Sequence, residues 1–188
     1  MKKRVVFFVN DLYGGGAEKV LQTLLKHLNK EKFDVTLYSL HKSVLNEYYP
    51  SDVVYHYVYG HGKVSDYLKT FIYRLFPPTW FYRLFIHGKY DTEVAFIEGY
   101  STRIVSGSTN KRSKKIAWVH CNMCVDRWTD DAYRNQKEEE KCYSRFDCVV
   151  AVSETVKNGL QKMFVSIKDV VCLYNPIDIE EIIRKSKE

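Results

Sequence analysis

Residues 4–28 read RVVFFVNDLYGGGAEKVLQTLLKHL. Arg4 to Val9 is a β-branched and aromatic run without helical period, which predicts a strand, and Asn10-Asp11 ends it. From Ala17 to Leu28 the pattern changes. Ala17, Leu21, Leu24, Leu25 and Leu28 fall on one helical face, with Lys19, Gln22, Lys26 and Asn29 opposite, as an amphipathic crossover helix requires. Gly14, Gly15 and Gly16 join the two, so the stretch reads strand, glycine turn, helix.

The same alternation recurs along the chain. Further strands are predicted at Asp34 to Leu40, Val53 to Val58, Asp91 to Ile97, Lys115 to His120, Cys148 to Val152 and Val170 to Tyr174. Helical spacing lies between several of them. Ser153, with Val156, Leu160 and Phe164, predicts a helix that starts directly after a strand and is N-capped by Ser153. Asp178 to Lys187 predicts a last helix after Asn175-Pro176. Such alternation implies an α/β fold, an open parallel sheet with helices on both faces. At 188 residues, one domain is the expectation, and no repeat or low-complexity segment suggests otherwise.

Composition narrows the class. Hydrophobic residues make up 45% and charged residues 28%, too apolar for a disordered chain. Met1 to Arg4 has the basic start of a leader, but the apolar run stops at Asn10 and no small-residue cleavage site follows, so it reads as a first strand. No apolar stretch approaches the ~18 residues of a membrane span. Five cysteines cannot all pair within one chain, which favours a reducing, cytoplasmic setting. The formal charge of +6 suits phosphate-bearing partners without choosing among them.

The glycines at the strand-to-helix turn have two readings. Absent side chains let backbone N–H groups approach an anion at the positive end of the helix, or the glycines simply make a tight turn. A dinucleotide fingerprint needs a glycine where Lys19 stands and an acidic residue where Leu40-His41 stands, so a nicotinamide enzyme is disfavoured. No Gly-Lys-Ser/Thr closes a P-loop, which disfavours a hydrolysing ATPase.

Gly15-Gly16-Ala17-Glu18-Lys19-Val20-Leu21 resembles the start of glycosyltransferase family four, retaining enzymes of the two-domain GT-B fold. Ile116-Ala117-Trp118-Val119-His120 resembles the family's strand that ends in an active-site histidine. Val149 to Thr155 resembles its next strand-to-helix turn, and Leu173 to Asp178 its approach to the second domain. The resemblance implies that residues 1–175 form the acceptor-side, Rossmann-like N-terminal domain. Residues 176–188 would then begin the connection to a C-terminal donor-binding domain that this chain lacks, leaving it inactive alone. It implies a nucleotide sugar as co-substrate, a glycan or lipid-linked acceptor, and neither cofactor nor metal. Gly14, Gly15, Gly16 and Ser153 would face donor phosphate or acceptor. His120 would contact the transferred sugar; a structural histidine at a strand end is the alternative.

Other residues keep more than one reading. Glu98, at a strand end before Gly99-Tyr100, either orients an acceptor hydroxyl or acts as a base, or else caps the next helix. His120, Cys121, Cys124 and Cys142 have the residue types of a zinc site but not its compact paired spacing, so ordinary thiols are expected. Tyr67 to Tyr90 interleaves Phe71, Tyr73, Phe76, Trp80, Phe81, Tyr82 and Phe85 with basic residues. That suits either peripheral contact with the inner membrane face or two helices packed on the sheet. Lys111 to Lys115 reads as a solvated loop, and Lys137 to Lys141, with three glutamates between, as an exposed helix face. Nothing supports nucleic-acid recognition.

Overall fold

Side chains alternate across a strand, so the continuous apolar run of β1 (Lys3–Val9) can be stable only if both of its faces are covered. The computed structural model, which describes residues 1–12, 14–43, 49–60, 66–167 and 169–187 (Asp66 by its backbone only), covers both. Val5, Phe7 and Val9 pack on one side against Leu21 and Leu25 of α1 (Gly16–His27). Val6 and Phe8 pack on the other, against α2 (Asp66–Leu75), α3 (Pro78–Phe85) and α4 (Tyr100–Ser106).

The strands β2 (Phe33–His41), β3 (Val54–Tyr59), β4 (Thr92–Ala95), β5 (Lys114–Val119), β6 (Cys148–Ala151) and β7 (Val170–Cys172) complete a seven-stranded sheet in the order β3-β2-β1-β4-β5-β6-β7. Every neighbouring pair is parallel. All seven strands expected from the sequence are present, and α1 lies within a residue of its expected bounds. Beyond β5, a 3₁₀ turn (Trp128–Ala132) leads into α5 (Gln136–Tyr143). Tyr143 packs with Leu160 and Phe164, on and just beyond α6 (Glu154–Met163), under Ala117, Val119, Val149 and Ala151. Trp118 and Val150 face α1 instead.

The chain runs outward from β1 to β3, then returns to place β4 on the other flank of β1. That reversal is the switch point at which open parallel sheets leave a crevice beyond the strands' C-terminal ends. A last helix, α7 (Ile179–Lys185), is tied to α1 by Lys26 Nζ and Asp178 at 2.7 Å. The exposed-face expectation for Lys137 to Lys141 holds for the two lysines, which are exposed, and fails for the glutamates between them. Glu138 pairs with the fully buried Arg103 at 2.7 Å, Glu139 is fully buried, and Glu140 accepts from Ser166. Acids set among lysines read as a surface pattern, whereas the fold brings them Arg103, Arg127 and Ser166 from other elements, which spacing cannot reveal.

Candidate functional site at the switch point

Gly14 to Gly16 follow β1, Glu98 and Gly99 follow β4, His120 follows β5 and Ser153 follows β6. In a parallel sheet these are all C-terminal strand ends, so the six candidate residues share one edge of the molecule with Gly99.

At the glycine turn, Gly14 has φ +90°, a conformation that disfavours any side chain. Gly15 is the N-cap of α1 and supplies no side-chain cap, and all three glycines are exposed. Glu18 folds back so that its carboxylate lies against Gly15, where a Cβ would meet Oε2 at 2.5 Å. An acidic group at the positive end of the helix is favoured electrostatically. Beside the turn, a groove of about 290 Å³ lies between α1 and α7, lined by Gly16, Lys19, Thr23, Asn175, Asp178 and Glu181.

His120 lies on the α1 side of the sheet, its ring 4.9 Å from Phe96 and near-parallel to Trp118 at 6.4 Å. Burial among these rings pushes its imidazole pKa down to about 4, only partly offset by a hydrogen bond to the Phe96 backbone. At neutral pH the ring is therefore uncharged. Nε2 is buried and has no partner among the described residues, so the Phe96 bond falls to Nδ1–H and leaves Nε2 as an acceptor.

Glu98 does not cap α4, for Gly99 is its N-cap residue and carries no side-chain bond. Glu98 is instead fully buried beneath the β5 exit, where Oε1 accepts the backbone N–H groups of His120 and Cys121, each at 2.5 Å. Burial pushes its carboxyl pKa up, opposed by these amide bonds. Ser153 caps α6, its hydroxyl accepting from Val156 N at 3.2 Å. Cys121 and Cys124 are exposed, while Cys142 is buried against Ala132 and Tyr133. Among the described residues no three His, Cys, Asp or Glu side chains group closely enough to hold a metal ion.

Several residues at this edge escaped the sequence reading. Asn10 bridges the switch point: Nδ2 donates to Glu98 O at 2.8 Å, and Oδ1 accepts from Ser101 N at 2.9 Å. Its only signal was a polar residue closing the first apolar run. Asp11 Oδ1 lies 2.5 Å from His41 Nδ1, and Lys69 Nζ lies 2.8 Å from His41 Nε2. These three come from β1's end, β2 and α2, so no local spacing could join them. Glu139, under the same connection, accepts from Thr129 Oγ1 at 2.8 Å and from Arg127 Nη2 at 3.2 Å, and burial pushes its pKa up to about 7.

The fold and the placement of these residues define the class: a Rossmann-like domain of the kind found in GT-B glycosyltransferases. Anabaena HepE, solved with UDP and glucose, superposes with a TM-score of 0.63 at 12% identity, covering 95% of this chain and 46% of HepE. Phytolacca americana UGT2, solved with UDP-2-fluoro-glucose and pterostilbene, superposes at 0.55 and 10% identity, covering 98% of this chain and 56% of UGT2. The chain thus spans about half the length of each. No curated protein matches it by sequence. The model of Glycosyltransferase Family 4 matches residues 14–181, and the chain belongs to that family.

Proposed function

We propose that this chain is the acceptor-side half of a retaining glycosyltransferase that moves a sugar from a nucleotide-sugar donor to a glycan or lipid-linked acceptor. The observation that carries the reading is His120. It is a neutral, half-buried imidazole at the strand-end edge; Nε2 has no partner among the described residues and is itself covered, so it accepts a hydrogen bond from a sugar hydroxyl when the ring turns towards the cleft. Solved structures of the same fold hold UDP and glucose, or UDP-2-fluoro-glucose, which supports a nucleotide sugar as the co-substrate here. No further cofactor or metal is part of the proposal.

The chemistry follows from charge. As the glycosidic bond to the donor phosphate breaks, negative charge grows on the leaving oxygen, and backbone N–H groups at the α1 N-terminus, around Gly15 and Gly16, stabilise it. Ser153 faces the same cleft from α6. In the retaining scheme the departing phosphate itself takes the acceptor's proton, on the face from which the donor leaves. Residues 1–175 are the acceptor-side domain and residues 176–188 begin the connection to a donor-binding domain. His120→Ala in the complete enzyme should abolish transfer with the fold intact; near-normal turnover refutes the assignment. UDP-glucose should bind this chain weakly until the second domain is joined. Tight binding by this chain alone would favour a stand-alone nucleotide-binding module instead.

A peripheral membrane role has its own observation. Of the Tyr67 to Tyr90 aromatics, Tyr73, Phe81, Tyr82 and Tyr90 are buried and Phe76 and Phe85 partly so, while others face outward. Tyr67, Phe71 and Leu75 of α2 and Trp80 and Leu84 of α3 are exposed, with Arg83 on the same stretch. No described helix is long and apolar enough to cross a membrane. Aromatic residues beside cations suit the headgroup layer of the inner face, from the cytoplasmic side. Flotation with anionic liposomes checks it, and no association removes it.

A further inference from the structure

Where β4 leaves the sheet, its neighbour β5 continues. The last β4–β5 pair is Ala95 with Ala117, so the amides of His120 and Cys121 lie beyond the point where β4 can offer carbonyls. These amides are part-buried and turned towards the sealed Glu98 side chain, and an inward-facing N–H without an acceptor is costly, so something must replace the missing strand. Glu98 does so: one carboxylate oxygen, Oε1, accepts both amides at 2.5 Å. The main chain that carries Glu98 is itself fixed on two sides. Asn10 bonds Glu98 O and Ser101 N, and Tyr133 Oη donates to Gly99 O at 3.0 Å. Trp128 closes over Gly99, within 3.3 Å of where a Cβ would stand. The carboxylate is sealed from solvent, and Oε2 has no partner among the described residues. An acceptor hydroxyl cannot reach Glu98 unless this turn opens.

We propose that Glu98 is a positioning residue: it holds two successive backbone amides at the β5 exit and so sets the place of the His120 ring, and it does not take the acceptor's proton. The consequence for turnover rests on the sugar-contacting reading of His120; the clamp itself does not. Asn10 extends it to β1, so the strand that leads into the glycine turn and the strand that carries His120 are tied through one residue, Glu98.

Two variants separate positioning from proton transfer. Glu98→Gln keeps an oxygen where Oε1 stands and cannot serve as a base; Glu98→Ala removes the acceptor. Backbone amide exchange by NMR on this protein should find His120 and Cys121 protected in the wild type and still protected in E98Q. In E98A both should exchange roughly ten- to a hundredfold faster, the loss of a charge-assisted bond. In the complete enzyme E98Q should stay within about tenfold of wild-type turnover, and E98A should lose about a hundredfold, as misplacement of a reacting group does. If E98A does not fold, the comparison of E98Q with wild type still decides. Unprotected amides in wild type, or unchanged protection in a folded E98A, overturns the clamp whatever the protein's activity. Loss of turnover in E98Q with both amides still protected overturns the exclusion of proton transfer. An enzyme that transfers no sugar at all, with the exchange pattern as expected, would sink the glycosyltransferase reading and leave the clamp standing.

Discussion

The helices α1 and α4 both begin at the switch point, both follow a strand and both have glycine at the N-cap, yet their surroundings are opposite. Gly99, before α4, has φ +81° and lies beneath Trp128, with its neighbours held by Asn10, Tyr133 and the Glu98 clamp. Gly15, before α1, has an ordinary φ of −69°, is exposed and has the Glu18 carboxylate against it. One turn is completed by the protein itself. The other leaves its helix end to whatever arrives. A ligand site needs both, since fixed groups orient and open amides bind. The first turn of α6 stands between the two cases, for Ser153 closes it with its own hydroxyl.

This contrast can be tested from its largest expected effect downward. Glu139 belongs to the closed side, and its folded pKa of about 7 lies above the ordinary carboxyl value of 4.5. A raised folded pKa means that its contribution is fully present below 4.5 and is lost as pH rises to about 7, by up to about 3 kcal/mol. His120 runs the other way. Its stabilising contribution is complete above 6.5 and is lost as pH falls towards 4. Between those limits the two oppose each other, so thermal melts of Glu139→Gln should show a steeper loss of stability on acidification than wild type. An unchanged pH profile would mean that Glu139 is not held protonated by burial.

Next in size, Gly99→Ala should cost about 1–3 kcal/mol, because alanine must adopt a strained φ and meet the Trp128 ring. A melt within a degree of wild type would show that the closed turn is not closed. Ser153→Ala should cost about 1 kcal/mol as a lost N-cap. If Ser153 also faces the donor phosphate, the same variant should weaken UDP-sugar binding in the complete enzyme, whereas a cap alone leaves it unchanged. The smallest effect belongs to the open side. A Cβ at Gly16 meets nothing within 4 Å, so Gly16→Ala should leave stability unchanged or raise it by up to about 1 kcal/mol. Impaired donor binding without loss of stability would sharpen the contrast; a clear drop in the melting temperature would break it.

The seven strands and α1 were legible in the sequence because they depend on local regularity: β-branched runs, a 3.6-residue apolar stripe, and glycines at a turn. The strand-end position of His120 was legible for the same reason, as was Ser153 as a cap. Glu98 was legible as a residue at a strand end, but the sequence could not tell base from cap, and the cap reading fails because Gly99 holds the N-cap position. The Glu98 side chain turns to backbone amides 22 and 23 residues away in the chain. The glutamates of α5 were misread for the same physical reason: three acids among lysines look solvated until Arg103 and Arg127 arrive from elsewhere in the fold.

By itself, then, the sequence determined the alternation of strand and helix, the parallel sheet, and which residues stand at its C-terminal edge, since periodicity and turn chemistry act over a few residues. Only the tertiary structure decided which of those residues meet. Buried carboxylates and amides must find partners wherever the packed chain brings them. That need joins Asn10 to Glu98 and Glu98 to His120 across three strands, while leaving the glycine turn open.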